Sequence, residues 1–191
     1  MNYPSMILIL LSVLFNYGGT KVTNTPTQNS SPTLNTNKVY CERSYTNFAW
    51  GYQHHGIYVD AEGNLYSYSY QPKEKPWAPK QGDAPTAEEL ADKYDHGKKL
   101  IRKIEPHEWQ ANLKLLAAAS QGKLSKRKQS GADMGSNVCR CYVFDEATNR
   151  YKDIPLRVQG DWSYENLAPS AKTLVDWLES LQGNSEKKPA R

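Results

Sequence analysis

The sequence predicts an α+β fold: a mostly antiparallel four-stranded sheet, built from two hairpins, with about three helices packed on one face. Two observations support this prediction. Two segments of β-type residues each fold back at a turn that begins with Asp and ends with Asn, and strands joined in this way are antiparallel. Three further segments carry apolar residues at helical spacing, which gives the element order β-β-α-α-β-β-α.

Both hairpins are recognised by their turns. The first joins residues 57–59 to residues 65–68 through the turn DAEGN (60–64), whose Asp can bond the turn's backbone and whose Gly can adopt positive φ. The second lies within residues 138–158 and turns at DEATN (145–149). The two turns resemble each other, but the match does not extend along the strands. The similarity therefore indicates a shared turn geometry rather than an internal duplication.

The first helix follows a Pro-rich connector and is predicted to begin with a capping box. In the sequence TAEE, Thr86 and Glu89 can bond each other's free backbone amides. Four apolar residues then trace one helical face, which predicts that the helix continues to the break at Glu105-Pro106. These residues are Leu90, Tyr94, Ile101 and Ile104.

Two more helices are predicted from start and stop signals. The second helix is expected to begin at Pro106, which suits the first helical position, and to end at Gly122. The third is expected to follow Pro169 and to end at Gly183. Its apolar residues have i, i+3, i+4, i+7 spacing: Leu174, Trp177, Leu178 and Leu181.

The 191-residue chain is predicted to contain one folded domain, residues 39–182, with removable ends. Residues 1–19 are interpreted as a secretory signal peptide, because their uncharged apolar run is too short to span a bilayer; a short uncleaved apolar tail is the alternative. Residues 20–38 are Thr, Asn, Ser and Pro with almost nothing to bury, which predicts a disordered linker. Residues 183–191 are predicted to be a disordered tail. The expected location is therefore secreted or periplasmic, with no transmembrane segment in the mature chain.

The formal net charge of +4 is unevenly placed along the chain. Four positive charges lie in one loop, residues 123–128 (KLSKRK), and the C-terminal tail is also basic, so the rest is close to neutral or slightly acidic. A nucleic-acid-binding protein carries its basic charge across a structured face, so no nucleic-acid partner is expected. We interpret the loop as a solvated basic segment; contact with an anionic surface is the alternative.

Three cysteines are the disulfide candidates: Cys41, Cys139 and Cys141. Cys139 and Cys141 are separated by one residue on a predicted strand, so they point to the same face. In an oxidising compartment Cys41 is expected to bridge to one of them and to leave the third thiol free or paired with another chain. Such a bridge would stabilise the fold by up to ~4 kcal/mol. The three cysteines lack the two-pair spacing of zinc motifs, so no metal and no cofactor is predicted.

The stretch 47–70 is rich in aromatic rings, and these rings separate by parity along the strands. Side chains alternate between the two faces of a strand, so six rings share one face unless a bulge at Gly56 intervenes: Trp50, Tyr52, Tyr58, Tyr66, Tyr68 and Tyr70. The sequence favours a core role for this face, because the sheet needs apolar area and each ring can bury roughly 150–250 Å². The other assignment is an exposed platform, which would suit a glycan or a protein partner.

The predicted function is an exported binding protein of the cell envelope or extracellular space, which uses the six rings to bind an unknown protein or glycan partner. The alternatives are a small secreted hydrolase using His54 or His55 with a carboxylate or the unpaired cysteine, and a structural or inhibitory module with the rings as core. His54 and His55 are adjacent on a strand and point to opposite faces. His107-Glu108 lacks the second histidine of the zinc-protease motif, because Ala111 stands there.

Overall fold

The structure of the protein is a computed structural model that describes residues 38–49, 51–71 and 76–183. The described strands are β1 (Val39–Asn47), β2 (Gln53–Val59), β3 (Asn64–Tyr70), β4 (Lys99–Lys103), β5 (Lys128–Gln129), β6 (Ser136–Asp145), β7 (Arg150–Gly160) and β8 (Trp162–Glu165). The described helices are α1 (Ala87–Asp95), α2 (Pro106–Ala119) and α3 (Pro169–Gly183). The α+β class predicted from the sequence is confirmed.

All eight described strands belong to one antiparallel sheet, in the order β4-β3-β2-β1-β6-β7-β8-β5. The predicted four-stranded sheet and the predicted element order are therefore wrong. The main reason is β1, which pairs with β2 on one side and with β6 on the other and so joins the two predicted hairpins into one sheet. Its sequence, VYCERSYTN, carries charged residues in its centre, which conceal the pattern of a buried strand.

Both predicted hairpins are confirmed, as β2–β3 and β6–β7. In the first turn Asp60 Oδ1 accepts hydrogen bonds from the backbone amides of Glu62 (3.1 Å) and Asn64 (2.8 Å), and Gly63 has φ +78°. In the second turn the left-handed residue is Asn149, with φ 54°, which lies one position later in the turn than Gly63 does in the first. Asn tolerates this conformation better than most side chains do, so each turn follows from its own residues.

Helix α1 is shorter than the sequence predicted. The capping box is confirmed, with Glu89 N donating to Thr86 Oγ1 at 3.2 Å and Thr86 N donating to Glu89 Oε2 at 2.8 Å. The helix then ends at Asp95, and Gly97 turns the chain with φ +60°. Residues 99–103, which were predicted to continue it, form edge strand β4 beside β3. Helices α2 and α3 begin where predicted, but α2 ends at Ala119 rather than at Gly122.

The helices cover both faces of the sheet, so the prediction of helices on one face is wrong. Helices α2 and α3 pack on the aliphatic face, where residues such as Cys41, Val59 and Leu65 form the main core. Helix α1 covers the ring-rich face, where its Leu90 and Tyr94 pack against rings of β2, β3, β6 and β7. Side-chain alternation along the strands places aliphatic residues on one face and aromatic rings on the other, so each face has apolar surface that a helix can cover.

The disulfide joins Cys41 on β1 to Cys141, its direct cross-strand neighbour on β6. This confirms the expected bridge and decides between the two candidate partners. Cys139 lies two residues earlier on β6, opposite Arg43, and is buried with a free thiol. No helix among the described residues is long and apolar enough to cross a membrane. The predicted signal peptide, all but the last residue of the predicted linker and residues 184–191 of the predicted tail lie outside the described residues.

Candidate functional site

The ring-rich face holds a buried polar cluster at its centre. The pairing of β1 with β2, and of β2 with β3, runs through Gly56 without a register shift, so the expected parity is kept. Glu42 on β1 therefore lies between Tyr58 of β2 and Arg140 of β6. Helix α1 adds two side chains from above. We call the following residues the Glu42 cluster: Glu42, His54, Tyr68, Lys93, Tyr94, Arg140 and Asp153.

Glu42 is only 1% exposed, and its two oxygens are surrounded by donors. Lys93 Nζ lies 2.8 Å from Oε1 and 2.7 Å from Oε2. The hydroxyls of Tyr94 and Tyr68 donate to Oε2 at 2.9 Å and 3.2 Å. Burial alone would raise the pKa of the Glu42 carboxyl, but Lys93 and Arg140 beside it hold that pKa below its ordinary value. Glu42 is therefore ionised within the core.

His54 is held between two tyrosine hydroxyls. Its Nδ1 lies 2.9 Å from the hydroxyl of Tyr52, and its Nε2 lies 3.3 Å from the hydroxyl of Tyr68. Burial, together with the nearby Lys93, lowers the pKa of His54 to about 3, so the ring is neutral at neutral pH. Since the Tyr68 proton is donated to Glu42, the imidazole proton belongs on Nε2, where it can bond the Tyr68 oxygen. Both ring nitrogens are then occupied.

Arg140 and Asp153 form the cluster's second ion pair. Arg140 Nη1 donates to Asp153 Oδ2 at 3.0 Å and to the hydroxyl of Tyr142 at 3.3 Å. Two buried atoms, Arg140 Nε and Asp153 Oδ1, have no hydrogen-bond partner among the described residues. Burial raises the pKa of Asp153 to about 6, against the opposing effect of Arg140. This end of the cluster is therefore less completely satisfied than the end around Glu42.

The predicted binding rings form a second core rather than an open platform. Tyr58 and Tyr68 are 2% and 3% exposed, and Tyr70 is 9% exposed. Tyr58 stacks on Tyr94 of α1 with ring centroids 4.0 Å apart. Tyr52 and Tyr66 pack against this core and are half-buried, and Trp50 lies outside the described residues. The burial agrees with the core assignment that the sequence favoured, and a binding role for these rings stays a prediction.

The groups proposed for a hydrolase are not brought together. Cys139 belongs to the aliphatic core under α2 and α3, whereas His54 lies on the opposite face of the sheet. Burial raises the pKa of the Cys139 thiol to about 11, so it is not a thiolate at neutral pH. His55 is exposed, with its ring 5.5 Å from that of Tyr45. Among the described residues there is also no group of three or more His, Cys, Asp or Glu that could hold a metal ion.

A cleft of about 780 Å³ opens between the outer side of α1 and the Pro-rich connector. We call it the α1 cleft. Of the predicted binding residues only Tyr70 lines it, and the other residues that matter for its chemistry were not predicted: Trp77, Glu88, Glu89, Asp92 and Arg150. The sequence did contain one signal for this site. A tryptophan in an otherwise polar, Pro-rich connector has no large apolar neighbours in the connector, which indicates that it packs elsewhere on the protein or contacts a ligand.

Trp77 separates the α1 cleft from the Glu42 cluster. Its backbone amide donates to the hydroxyl of Tyr52 at 3.2 Å, and its indole Nε1 donates to the backbone carbonyl of Glu89 at 2.9 Å. Its ring centroid lies 4.3 Å from Lys93 Nζ, a cation–π contact with the buried ammonium. The half-buried ring is therefore held in one orientation at the wall of the cleft.

The acidic residues of the α1 cleft differ in how much of their bonding capacity is used. Glu89 accepts hydrogen bonds from the backbone amides of Thr86 and Lys80 and lies 3.3 Å from Arg150 Nη2. Glu88 and Asp92 are exposed instead, and Glu88 accepts hydrogen bonds from its own backbone amide and from the Thr86 side chain. Asp92 is contacted at 3.5 Å by the Tyr70 hydroxyl and lies 3.7 Å from His96 Nε2. The cleft thus combines fixed aromatic rings with two carboxylates that can accept hydrogen bonds from a ligand.

Known proteins do not supply a function for this arrangement. No protein-family model, no curated protein and no solved structure matches the chain. The function must therefore be inferred from the side chains themselves.

Proposed function

We propose that this protein is an exported binding protein and that the α1 cleft binds a glycan. The observation that carries the proposal is the fixed Trp77 ring, which lines one concave site together with Tyr70 and the exposed carboxylates of Glu88 and Asp92. The cleft volume of about 780 Å³ lies within the range of small-ligand sites. The proposal keeps the predicted class of function, a binding protein. It places the binding site in the α1 cleft instead of on the six rings predicted from the sequence.

The chemistry of a sugar ring matches this lining. A pyranose presents flat patches of C–H groups and a rim of hydroxyls, and an aromatic ring supplies rigid apolar area for the flat patch. Hydroxyls can donate to the carboxylates of Glu88 and Asp92, and hydrogen bonds to charged acceptors are the stronger class. Because the indole N–H of Trp77 is already bonded to Glu89, its ring does not have to be ordered when the ligand arrives.

The disulfide supports export. Disulfides persist in oxidising compartments and are rare in the cytosol, and the Cys41–Cys141 bridge lies between two strands of the sheet centre. A signal peptide over residues 1–19 would deliver the protein to such a compartment. A protein partner fits the cleft less well, because protein interfaces of standard size are broad surfaces and this site is a concave pocket.

The proposal is tested by screening the purified protein against an immobilised glycan panel and then measuring affinity for each hit by calorimetry. Trp77→Ala is expected to weaken binding by about thirtyfold, since a buried aromatic anchor contributes about 2 kcal/mol or more. Asp92→Asn is expected to weaken it by about tenfold or more, because it removes a charged acceptor. Trp162→Ala is the matched control, because that exposed tryptophan lies on β8 and not in the cleft.

Two results would overturn the proposal. One is a panel without any ligand for the folded protein. The other is a ligand whose affinity is unchanged by both cleft variants. Asp92 is exposed and lies outside the Glu42 cluster, so Asp92→Asn still tests the site if Trp77→Ala disturbs the fold through its contact with Lys93.

A further inference from the structure

The far edge of the sheet is built by two segments that run side by side. Residues 123–131 pair with residues 161–167 through β5 and β8 and through backbone bonds on either side of them. Ser125 N donates to Glu165 O at 2.8 Å, and Leu167 N donates to Lys123 O at 2.9 Å. We call these two segments the edge ribbon. The basic loop at residues 123–128 is therefore paired with a neighbouring segment and is part of the sheet edge.

The edge ribbon exposes apolar side chains. Leu124, Trp162 and Leu167 are 46%, 41% and 61% exposed. Met134 is 58% exposed beside the ribbon, where its backbone amide donates to Asp161 Oδ1 at 2.8 Å. Four of the seven exposed large hydrophobic residues in the described part of the chain thus lie along this one edge. Exposed apolar residues concentrated at one edge of a sheet indicate an interaction surface.

The ribbon also carries four basic residues. Lys123, Lys126, Arg127 and Lys128 have no ion pair among the described residues. Arg127 instead stacks over aromatic rings, 5.0 Å from the centroid of Trp162 and 5.9 Å from that of Tyr164. Within the ribbon the acidic residues are Asp161 and Glu165, so positive charge is in excess.

We propose that the edge ribbon docks on an anionic lipid surface. Exposed Trp and Leu side chains next to Lys and Arg are the composition that lies at the boundary between headgroups and acyl chains. Each cation near such a surface contributes about 1 kcal/mol of attraction. A soluble polyanion would use the cations and Trp162, but it would leave Leu124, Leu167 and Met134 without a role. The proposal is independent of the α1 cleft, because the ribbon is built from other elements at the β8–β5 end of the sheet.

The test is co-sedimentation of the folded protein with vesicles of phosphatidylcholine that contain about 30% phosphatidylserine, compared with vesicles of phosphatidylcholine alone. We expect binding to the anionic vesicles only, weakened when the salt is raised from about 0.1 M to about 0.5 M. The variant Lys126→Glu/Arg127→Glu/Lys128→Glu is expected to bind about a hundredfold more weakly. Trp162→Ser is expected to bind about tenfold more weakly, because it removes an apolar anchor but no charge.

The opposite edge of the sheet offers a matched control. Strand β4 has the sequence KLIRK, with Leu100 and Ile101 exposed beside three cations but without a tryptophan. The variant Lys99→Glu/Arg102→Glu/Lys103→Glu makes the same change in net charge at that edge and is expected to lose less than about threefold in affinity.

Three outcomes would overturn the proposal. The first is no sedimentation with anionic vesicles. The second is an equal loss in the two triple variants, which would show that net charge alone drives the interaction. The third is unchanged vesicle binding in Trp162→Ser together with full competition by soluble polyglutamate, which would assign the ribbon to a soluble polyanion.

Discussion

Glu42 is ionised inside the core because Lys93, Tyr94 and Tyr68 all direct donors to its two oxygens. A buried ion pair of this kind adds little net stability, because taking both charges out of water costs about as much as their attraction returns. What it does control is geometry. Lys93 and Tyr94 are the α1 residues that contact Glu42, so the Lys93–Glu42 ion pair specifies where α1 packs on the ring-rich face. Removing one partner of the ion pair leaves the other charge buried without a counter-charge.

Glu42→Gln is therefore expected to lower the free energy of unfolding by about 3 kcal/mol or more, since the Lys93 ammonium loses its counter-charge. Urea denaturation measures this change. Asp95→Asn is the control, because it breaks the exposed Lys98–Asp95 pair and should cost less than about 1 kcal/mol. The double variant Glu42→Gln/Lys93→Met should regain much of the loss. A Glu42→Gln variant that is as stable as Asp95→Asn would contradict the role given to the pair.

His54 predicts a loss of stability in acid. Its pKa is lowered from 6.5 to about 3 in the folded protein, so the unfolded chain binds the proton more readily between these values. Its contribution to stability is complete above about pH 6.5 and is lost as the pH falls toward 3. Between pH 7 and pH 5 the wild type should lose about 2 kcal/mol relative to His54→Gln, which cannot take up this proton.

The measurement is urea denaturation of both proteins at several pH values. Asp153, with its pKa raised from 3.8 to about 6, acts in the opposite direction, but it is present in both proteins and cancels in the comparison. His55→Gln, at the exposed neighbouring residue, should follow the wild-type curve. A constant difference between wild type and His54→Gln across this pH range would show that His54 is not buried as a neutral ring.

At the scale of single elements, the parts specified by neighbouring residues were predictable. The turns at residues 60–64 and 145–149, the capping box at Thr86 and the start of α2 at Pro106 each depend on side chains a few positions apart. Strand β4 was not predictable in this way. Its Leu100 and Ile101 continue the helical spacing of α1, but Gly97 ends the helix and the free edge of β3 supplies backbone partners.

Strand β1 is a second element that its local sequence does not predict. Its central Glu42 and Arg43 make it look like a solvated segment, yet it lies in the middle of the sheet. A buried carboxylate on a central strand is acceptable only because α1 and β6 bring Lys93 and Arg140 to it. These partners come from distant parts of the chain, so the residues around Glu42 in the sequence do not predict them.

At the scale of the whole molecule, the disulfide fastens the centre of the sheet. Cys41 and Cys141 are separated by 100 residues, and the segment between them contains β2, β3, α1, β4, α2 and β5. Closing so long a loop removes much of the freedom of the unfolded chain. The bridge therefore stabilises the order of strands on both sides of β1 rather than any single hairpin.

Cys41→Ser is expected to lower the free energy of unfolding by about 2–5 kcal/mol. Cys139→Ala, on β6 two residues before Cys141, is the control, because its thiol is free, the bridge is kept and no polar group is buried. Denaturation under non-reducing conditions compares the two, and mass spectrometry after alkylation of the denatured, unreduced protein should label Cys139 alone. Labelling of Cys41 or Cys141 in the wild type, or an equal loss of stability in the two variants, would contradict the assigned bridge.

The sequence by itself determined the α+β class, both hairpins, the starts of the three helices and the separation of rings from aliphatic residues. All of these depend on residues close together in the chain. Only the tertiary structure decided the order of the strands, the choice of Cys141, the burial of the rings under α1 and the placement of Trp77 beside Asp92. These features depend on which strands lie side by side and which face each helix covers, and such contacts between distant residues are settled only when the whole chain packs.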